Sequence, residues 1–311
     1  LPVTVRLSPA DPRYAALWDA SPDRTPFAQP AALAAFAAAF GLTAAVLAVE
    51  DDGALLAAVP VFEKRRGPFV AASLPPLCPV LAPLLAAPLS EADTHARRSP
   101  LDRLLAGLGD AVDQATLALG AGDLRPYAWA SWALTPRSTY RLDLTGDPAA
   151  GFSSNVRRTL RRDADAFVLS DAGDPGEAVR LMADGYARGD ADLGIDLGAA
   201  TGLAQAFVDA GLTRTFAATR DGATEAAVVI ASDGRTAYYW IAGSAPGPGM
   251  TVLVADVLAR LAAEGVEAFD FCGANTPTIA EFKRRFGPTL APAPIARLVT
   301  RPVLRLAERL R

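Results

Sequence analysis

The chain repeats one long pattern, and that repeat limits its fold more than any other feature. In the first half PAALAAFAAAF leads through Gly41-Leu42-Thr43 into AAVLAVE, an Asp51-Asp52-Gly53 turn and ALLAAVPVF. In the second half TGLAQAFVDA leads through Gly211-Leu212-Thr213 into RTFAATR, an Asp221-Gly222 turn and TEAAVVIAS. Both read helix, GLT, strand, Asp-Gly turn, strand. Glycine closes each helix as a C-cap, and Asp-Gly between two apolar runs is a strong hairpin signal. The offset, Gly41 to Gly211, exceeds any solenoid period and implies domain duplication.

The rest of each half extends the parallel. The first hairpin is followed by a strand FVAAS, a proline-rich loop, a helix expected over Pro100–Leu119 and a strand YAWAS. The second is followed by a Ser232-Asp233-Gly234 turn, the strand TAYYWIA, the loop GSAPGPG, the helix MTVLVADVLARLAAEG and the strand EAFDFCG. Hairpins followed by strand, loop, helix and strand imply an α/β class, a mixed α+β sheet in each half. At 311 residues there is room for two domains. TGDPAAG breaks the pattern, which sets the expected division at 1–146 and 147–311. The closing run IARLVTRPVLRLAERLR is expected to form a basic amphipathic helix, a candidate for peripheral contact with an anionic membrane.

Composition narrows the chemistry. The single histidine, His95, sits in a polar run, which argues against a Ser-His-Asp hydrolase and against zinc; no metal is expected. Two distant cysteines, Cys78 and Cys272, make no disulfide framework. The N-terminal residues lack a signal-peptide pattern, so a cytoplasmic location is expected, at most at the inner face of the membrane. A net charge of −4 confines any phosphate contact to local basic patches.

Such patches exist. SSNVRRTLRR places Arg157 with Arg161, and Arg158 with Arg162, on helix faces suited to phosphates. The glycine-rich loop opening the helix at Met250 offers backbone N–H groups around Gly247, Gly249, Met250 and Thr251. In FDFCGANTPTIAEFKRRFG, Phe269 and Phe271 alternate as the buried side of a strand, with Asp270 and Cys272 turned the other way and Gly273 allowing a sharp turn. Lys283 and Arg284 follow in a second basic cluster. Asp270, at a strand end, is a candidate general base. Tyr238 and Tyr239 face opposite sides of one strand, and Tyr239 is the candidate proton donor.

TPFAQPAALAAFAAAFG, VLAVEDDGALLAAVPVFEKRRG, NVRRTLRR and above all FDFCGAN…IAEFKRRFG resemble the FemAB-like, double N-acetyltransferase superfamily, in its acetyltransferase branch. The resemblance spans nearly the whole chain. It implies two tandem GNAT-like domains and an N-acyltransferase that passes an acyl group from a phosphate-bearing donor, acyl-CoA in the preferred reading, directly to a small-molecule or lipid-linked amine, in a setting of envelope or polysaccharide synthesis. It also implies that Arg157, Arg161, Lys283 and Arg284 serve phosphates. Two alternatives stay open: a tRNA-dependent aminoacyltransferase acting on a peptidoglycan precursor, and a non-catalytic scaffold. One departure stands out. Where simple acetyltransferases carry Arg or Gln three residues before the first loop glycine, this chain has Ser244, and prolines interrupt the loop.

Overall fold

The computed structural model describes residues 2–304. It realises the repeat down to individual dihedral angles. In one half the helix α2 (Pro30–Phe40) ends at Gly41 (φ 59°), with Leu42 N–H donating to Ala37 O. In the other half α8 (Leu197–Asp209) ends at Gly211 (φ 70°), with Leu212 N–H donating to Phe207 O. A left-handed residue satisfies the last carbonyls in both. The strand pair β2 (Thr43–Asp51) and β3 (Ala54–Arg66) turns at Asp52 (φ 47°) and Gly53 (φ 83°). The pair β10 (Thr213–Arg220) and β11 (Ala223–Ser232) turns at Asp221 (φ 52°) and Gly222 (φ 79°). Two consecutive positive φ values make the type I′ turn that matches strand twist. Each hairpin also carries a bulge at the same place, leaving Leu56 unpaired in the first and Glu225 in the second.

The chain divides into two units, Leu1–Arg137 with Pro292–Arg311, and Ser138–Ala291. The first holds an eight-stranded sheet in the order β1 (Val3–Leu7), β2, β3, β4 (Phe69–Ala72), β6 (Gln114–Ala118), β15 (Ile295–Val299), β7 (Ala133–Thr135), with β5 (Leu84–Leu85) paired to β3. Helices α1 (Pro12–Ala20), α2, α3 (Glu91–His95), α4 (Pro100–Ala111) and α5 (Arg125–Trp129) accompany it. Leu101, Leu104, Leu105 and Leu108 of α4 join Val59, Val61 and Leu117 in its core.

The second unit holds a seven-stranded sheet in the order β14 (Thr289–Pro292), β8 (Ser138–Asp143), β13 (Ala268–Asp270), β12 (Thr236–Ser244), β11, β10, β9 (Val168–Ser170). One face packs α6 (Ser154–Asp163) and α9 (Gly249–Ala263) around Phe216, Val228, Phe269, Phe271 and Phe286. Full burial of each such side chain is worth roughly 1.5–3 kcal/mol. On the other face α7 (Pro175–Arg188) lies so close to β12 that a Cβ on Gly243 would stand 2.0 Å from Met182 N. α10 (Pro277–Arg284) closes the unit.

Four expectations need correction. The division is not at residue 146. STYRLD alternates Thr139 and Arg141 with Tyr140 and Leu142 and joins the second sheet as β8, while Ile295–Val299 returns to the first sheet as β15. The first part of the expected closing helix is instead a strand over Ile295–Val299, where alternating burial of Ala296 and Leu298 outweighs helical spacing, while residues 302–304 are helical. Arg305, Arg309 and Arg311 lie outside the described residues. The helix expected to Leu119 stops at Ala111. Asp113 accepts from Val70 N–H, and Gln114–Ala118 becomes β6. YAWAS is not a strand; Tyr127–Trp129 belong to the short helix α5.

Candidate active site

β12 and β13 run parallel and pair only over Thr236–Tyr238 and Ala268–Asp270. Beyond that point β12 continues to Ser244 beside β11, whereas the chain after β13 follows β8, with Phe271 N–H donating to Tyr140 O. The strands part, and a slot opens at the C-terminal end of β13. Successive N–H groups of a strand point to opposite neighbours, so alternate N–H groups of β12 past Tyr238 face this slot. β12 is itself bulged there, with Trp240 skipped between the pairs Ile230–Tyr239 and Val229–Ile241.

Asp270 is the last residue of β13, where the strands part, and is 7% exposed. Its Oδ1 accepts from Thr139 Oγ1 at 2.5 Å and from Cys272 N–H at 2.8 Å, and Thr139 Oγ1 in turn accepts from Gly273 N–H at 2.9 Å. Its Oδ2 lies 3.9 Å from Arg141 Nε. Burial pushes the carboxyl above the ordinary carboxylate range, against the Thr139 and Cys272 hydrogen bonds and the Arg141 charge. Cys272 (φ 52°) and Gly273 (φ 106°) then swing the backbone sharply away, and Asn275 fixes the turn by bonding both Ser138 N–H and Ser138 O.

Lys283 is not the surface cation expected. It is 6% exposed, and its Nζ donates to Phe271 O at 2.6 Å and Gly273 O at 2.9 Å. The ammonium also stands 5.5 Å from the ring centre of Tyr239. Burial pulls it below the usual lysine range, while the charges of Cys272 and Asp270 oppose this. Tyr239 packs on Phe269 and Phe271, and its hydroxyl donates to Met250 Sδ at 3.2 Å. Burial raises this phenol well above its ordinary range. Register separates the two expected catalytic groups. Tyr238 pairs with Asp270, so Asp270 shares a face with Tyr238, Thr139 and Arg141, and Tyr239 lies on the opposite face of the sheet.

The expected phosphate ligands divide. Arg157 donates to Ala150 O at 2.8 Å, and Arg284 pairs with Glu281. Arg158 and Arg161 are exposed and make no ion pair among the described residues. At the head of α9 the N–H groups of Thr251 and Val252 both donate to Pro248 O, so Thr251 is not free for a ligand; the helix has no side-chain cap. Thr139, Arg141 and Glu225 were not anticipated. The polar–apolar alternation of STYRLD carries a readable signal for the first two, whereas nothing local marks Glu225 beyond being a lone charge in an apolar strand.

Residues 150–284 match the family model described as an acetyltransferase (GNAT) domain. That match lies within the second unit, which has the sequence of a GNAT acetyltransferase domain. The fold of the chain is shared with FemX and with a tandem GNAT protein. It superposes on FemX with a TM-score of 0.73 at 11% identity, covering 97% of this chain and 99% of that one. A tandem GNAT protein from the clavulanic acid biosynthesis pathway gives a TM-score of 0.58 at 14% identity, covering 97% and 99%. L-PGS from Bacillus licheniformis gives 0.57 at 12%, covering 96% and 95%. At these identities the likeness is one of fold. No curated protein matches the chain significantly in sequence. Among its described residues no helix is long and apolar enough to cross a membrane.

Proposed function

We propose that the second unit transfers an acyl or aminoacyl group from a phosphate-bearing carrier to an amine, at the slot between β12 and β13. The observation that supports this reading best is the parting of those two strands directly beside a buried, desolvated carboxylate, Asp270, whose Oδ1 is held by Thr139 and Cys272 N–H and whose Oδ2 makes only the 3.9 Å contact with Arg141. The acyl group lies along β12, where backbone N–H groups stabilise the oxyanion. The amine nitrogen attacks the carbonyl carbon, forming the amide as the carbon–oxygen or carbon–sulfur bond to the carrier breaks. The proton lost by the amine passes to Asp270, and the departing alkoxide or thiolate takes one from solvent. No covalent enzyme intermediate is needed. Burial of Asp270 suits the role, since a carboxylate of raised pKa is the stronger base. Lys283 holds the carbonyls of the turn and positions Asp270 through it.

Acyl-CoA and aminoacyl-tRNA are the two carrier classes in play. The fold likeness to FemX and to the C-terminal domain of a putative lysylphosphatidylglycerol synthetase (TM-score 0.51, 16% identity) supports an acceptor amine in envelope synthesis. The test is a melting-point series with acetyl-CoA, longer acyl-CoAs, free CoA, and charged and uncharged tRNA. A donor at 100 times its Kd adds about 2.7 kcal/mol of stability. Stabilisation by an acylated carrier over its deacylated form is the expected result. Indifference to every acylated carrier contradicts the donor slot.

A further inference from the structure

The duplication provides an internal comparison at the head of the donor-slot helix. In each unit a helix connects two parallel strands: α4 lies between β4 and β6, and α9 between β12 and β13. The first is closed by a reciprocal cap, Ser99 Oγ accepting from Asp102 N–H while Asp102 Oδ2 accepts from Ser99 N–H. The second has no side-chain cap. Its loop is also poor in donors. Pro246 and Pro248 have no N–H, Ala245 N–H donates to Glu225 O, and Thr251 and Val252 N–H donate to Pro248 O. Gly247, Gly249 and Met250 are left.

Against those three stands Glu225. A Cβ placed on Gly247 or on Gly249 would lie 3.5 Å from Glu225 Oε2. That oxygen is buried and has no hydrogen-bond partner, while Oε1 is held by Arg220 Nε at 2.6 Å. Glu225 reaches this place because the bulge in β11 turns it inward, and the equivalent bulge of the other hairpin carries Leu56, packed on an apolar core. The fold therefore accepts a hydrocarbon at this position. A carboxylate placed instead beside the positive end of a helix satisfies that dipole from within and opposes the entry of a second anion. Two neighbouring cations are engaged: Arg220 is paired with Glu225, and the Arg188 guanidinium donates to Ser244 O.

We propose that Glu225 is a donor-selecting residue, occupying the head of α9 so that the slot takes acyl donors that bring no pyrophosphate there. An acyl or aminoacyl ester of a ribose fits that requirement, and acyl-CoA with its pyrophosphate on this loop does not. The proposal rests on the reading of the β12–β13 slot as the donor site.

The test is calorimetric titration of wild type, Glu225→Gln and Glu225→Asp with two probes: acetyl-CoA, and S-acetylpantetheine, which lacks the pyrophosphate. Melting points confirm that each variant folds. Acetyl-CoA is expected to bind Glu225→Gln about tenfold or more tightly than wild type or Glu225→Asp, while S-acetylpantetheine binds all three alike. Equal acetyl-CoA affinity in wild type and Glu225→Gln overturns the proposal. So does an equal gain for both probes, which would make the substitution a packing effect. A wild type that acylates amines but shows no Glu225→Gln response keeps the proposed function and rejects the selector. An inactive wild type whose Glu225→Gln form still gains acetyl-CoA affinity does the reverse.

Discussion

Replacing Asp270 by Asn separates chemistry from architecture. The amide oxygen of Asn can still accept from Thr139 Oγ1 and Cys272 N–H, the two bonds that now hold Asp270 Oδ1 at 2.5 and 2.8 Å. What is lost is a charge pair at 3.9 Å to an arginine whose side chain is 42% exposed. Screened by solvent, such a pair is worth less than about 1 kcal/mol, and its loss is offset by no longer burying a carboxylate. Stability near neutral pH should therefore change little. Catalysis should fall by about 100- to 10,000-fold, the usual contribution of a positioned general base. The pH dependence carries a sign. The native carboxyl is raised above its ordinary value of 3.8, so its protonated form is favoured by folding. Between 3.8 and the raised native value the unfolded chain has released the proton while the folded chain retains it, so wild-type stability falls as pH rises through that window. Asp270→Asn lacks this slope, and its stability relative to wild type should grow across the window. Initial rates of amide formation at saturating donor, with melting curves at the same pH values, test both statements. A variant whose kcat stays within about threefold of wild type over the whole range would refute the assignment of Asp270 as base.

Other perturbations report on the frame around it. Lys283→Met strands the carbonyls of Phe271 and Gly273, now 2.6 and 2.9 Å from Nζ, and should cost about 2–4 kcal/mol in urea denaturation. Gly243→Ala drives a methyl to 2.0 Å from Met182 N and 2.1 Å from Leu181 C; a loss of about 3 kcal/mol, read as a melting point lower by about 6–12 °C, is expected. Arg158→Glu combined with Arg161→Glu should weaken tRNA binding about tenfold in low-salt anisotropy titrations, with the difference shrinking at high salt.

Legibility from sequence followed the range of the interactions involved. The hairpins were readable because Asp-Gly turns and Gly C-caps are local, with dihedral demands that few residues meet. Phe269 and Phe271 declared the buried face of β13 by period two, and that placed Asp270 on the other side. The partnership of Asp270 with Thr139 was not readable, because it joins residues 131 positions apart through the pairing of β13 with β8. Lys283 looked like part of a surface triplet with Arg284 and Arg285. The carbonyls of the Phe271–Gly273 turn, exposed by positive φ at Cys272 and Gly273, together with the face of Tyr239, give its ammonium a reason to be buried. β15 is ambiguous in sequence for a similar reason. IARLV suits either period, and its pairing with β6 and β7 settles the choice.

Direct transfer to an amine is the central claim, and intact-protein mass spectrometry during turnover tests it most directly. The enzyme is mixed with an isotopically labelled acyl donor, with and without an amine acceptor. The prediction is a protein mass unchanged at every time point and label appearing in an amide of the acceptor. An acyl adduct on the protein that forms without acceptor and disappears when acceptor is added, at Cys272 or elsewhere, would contradict it.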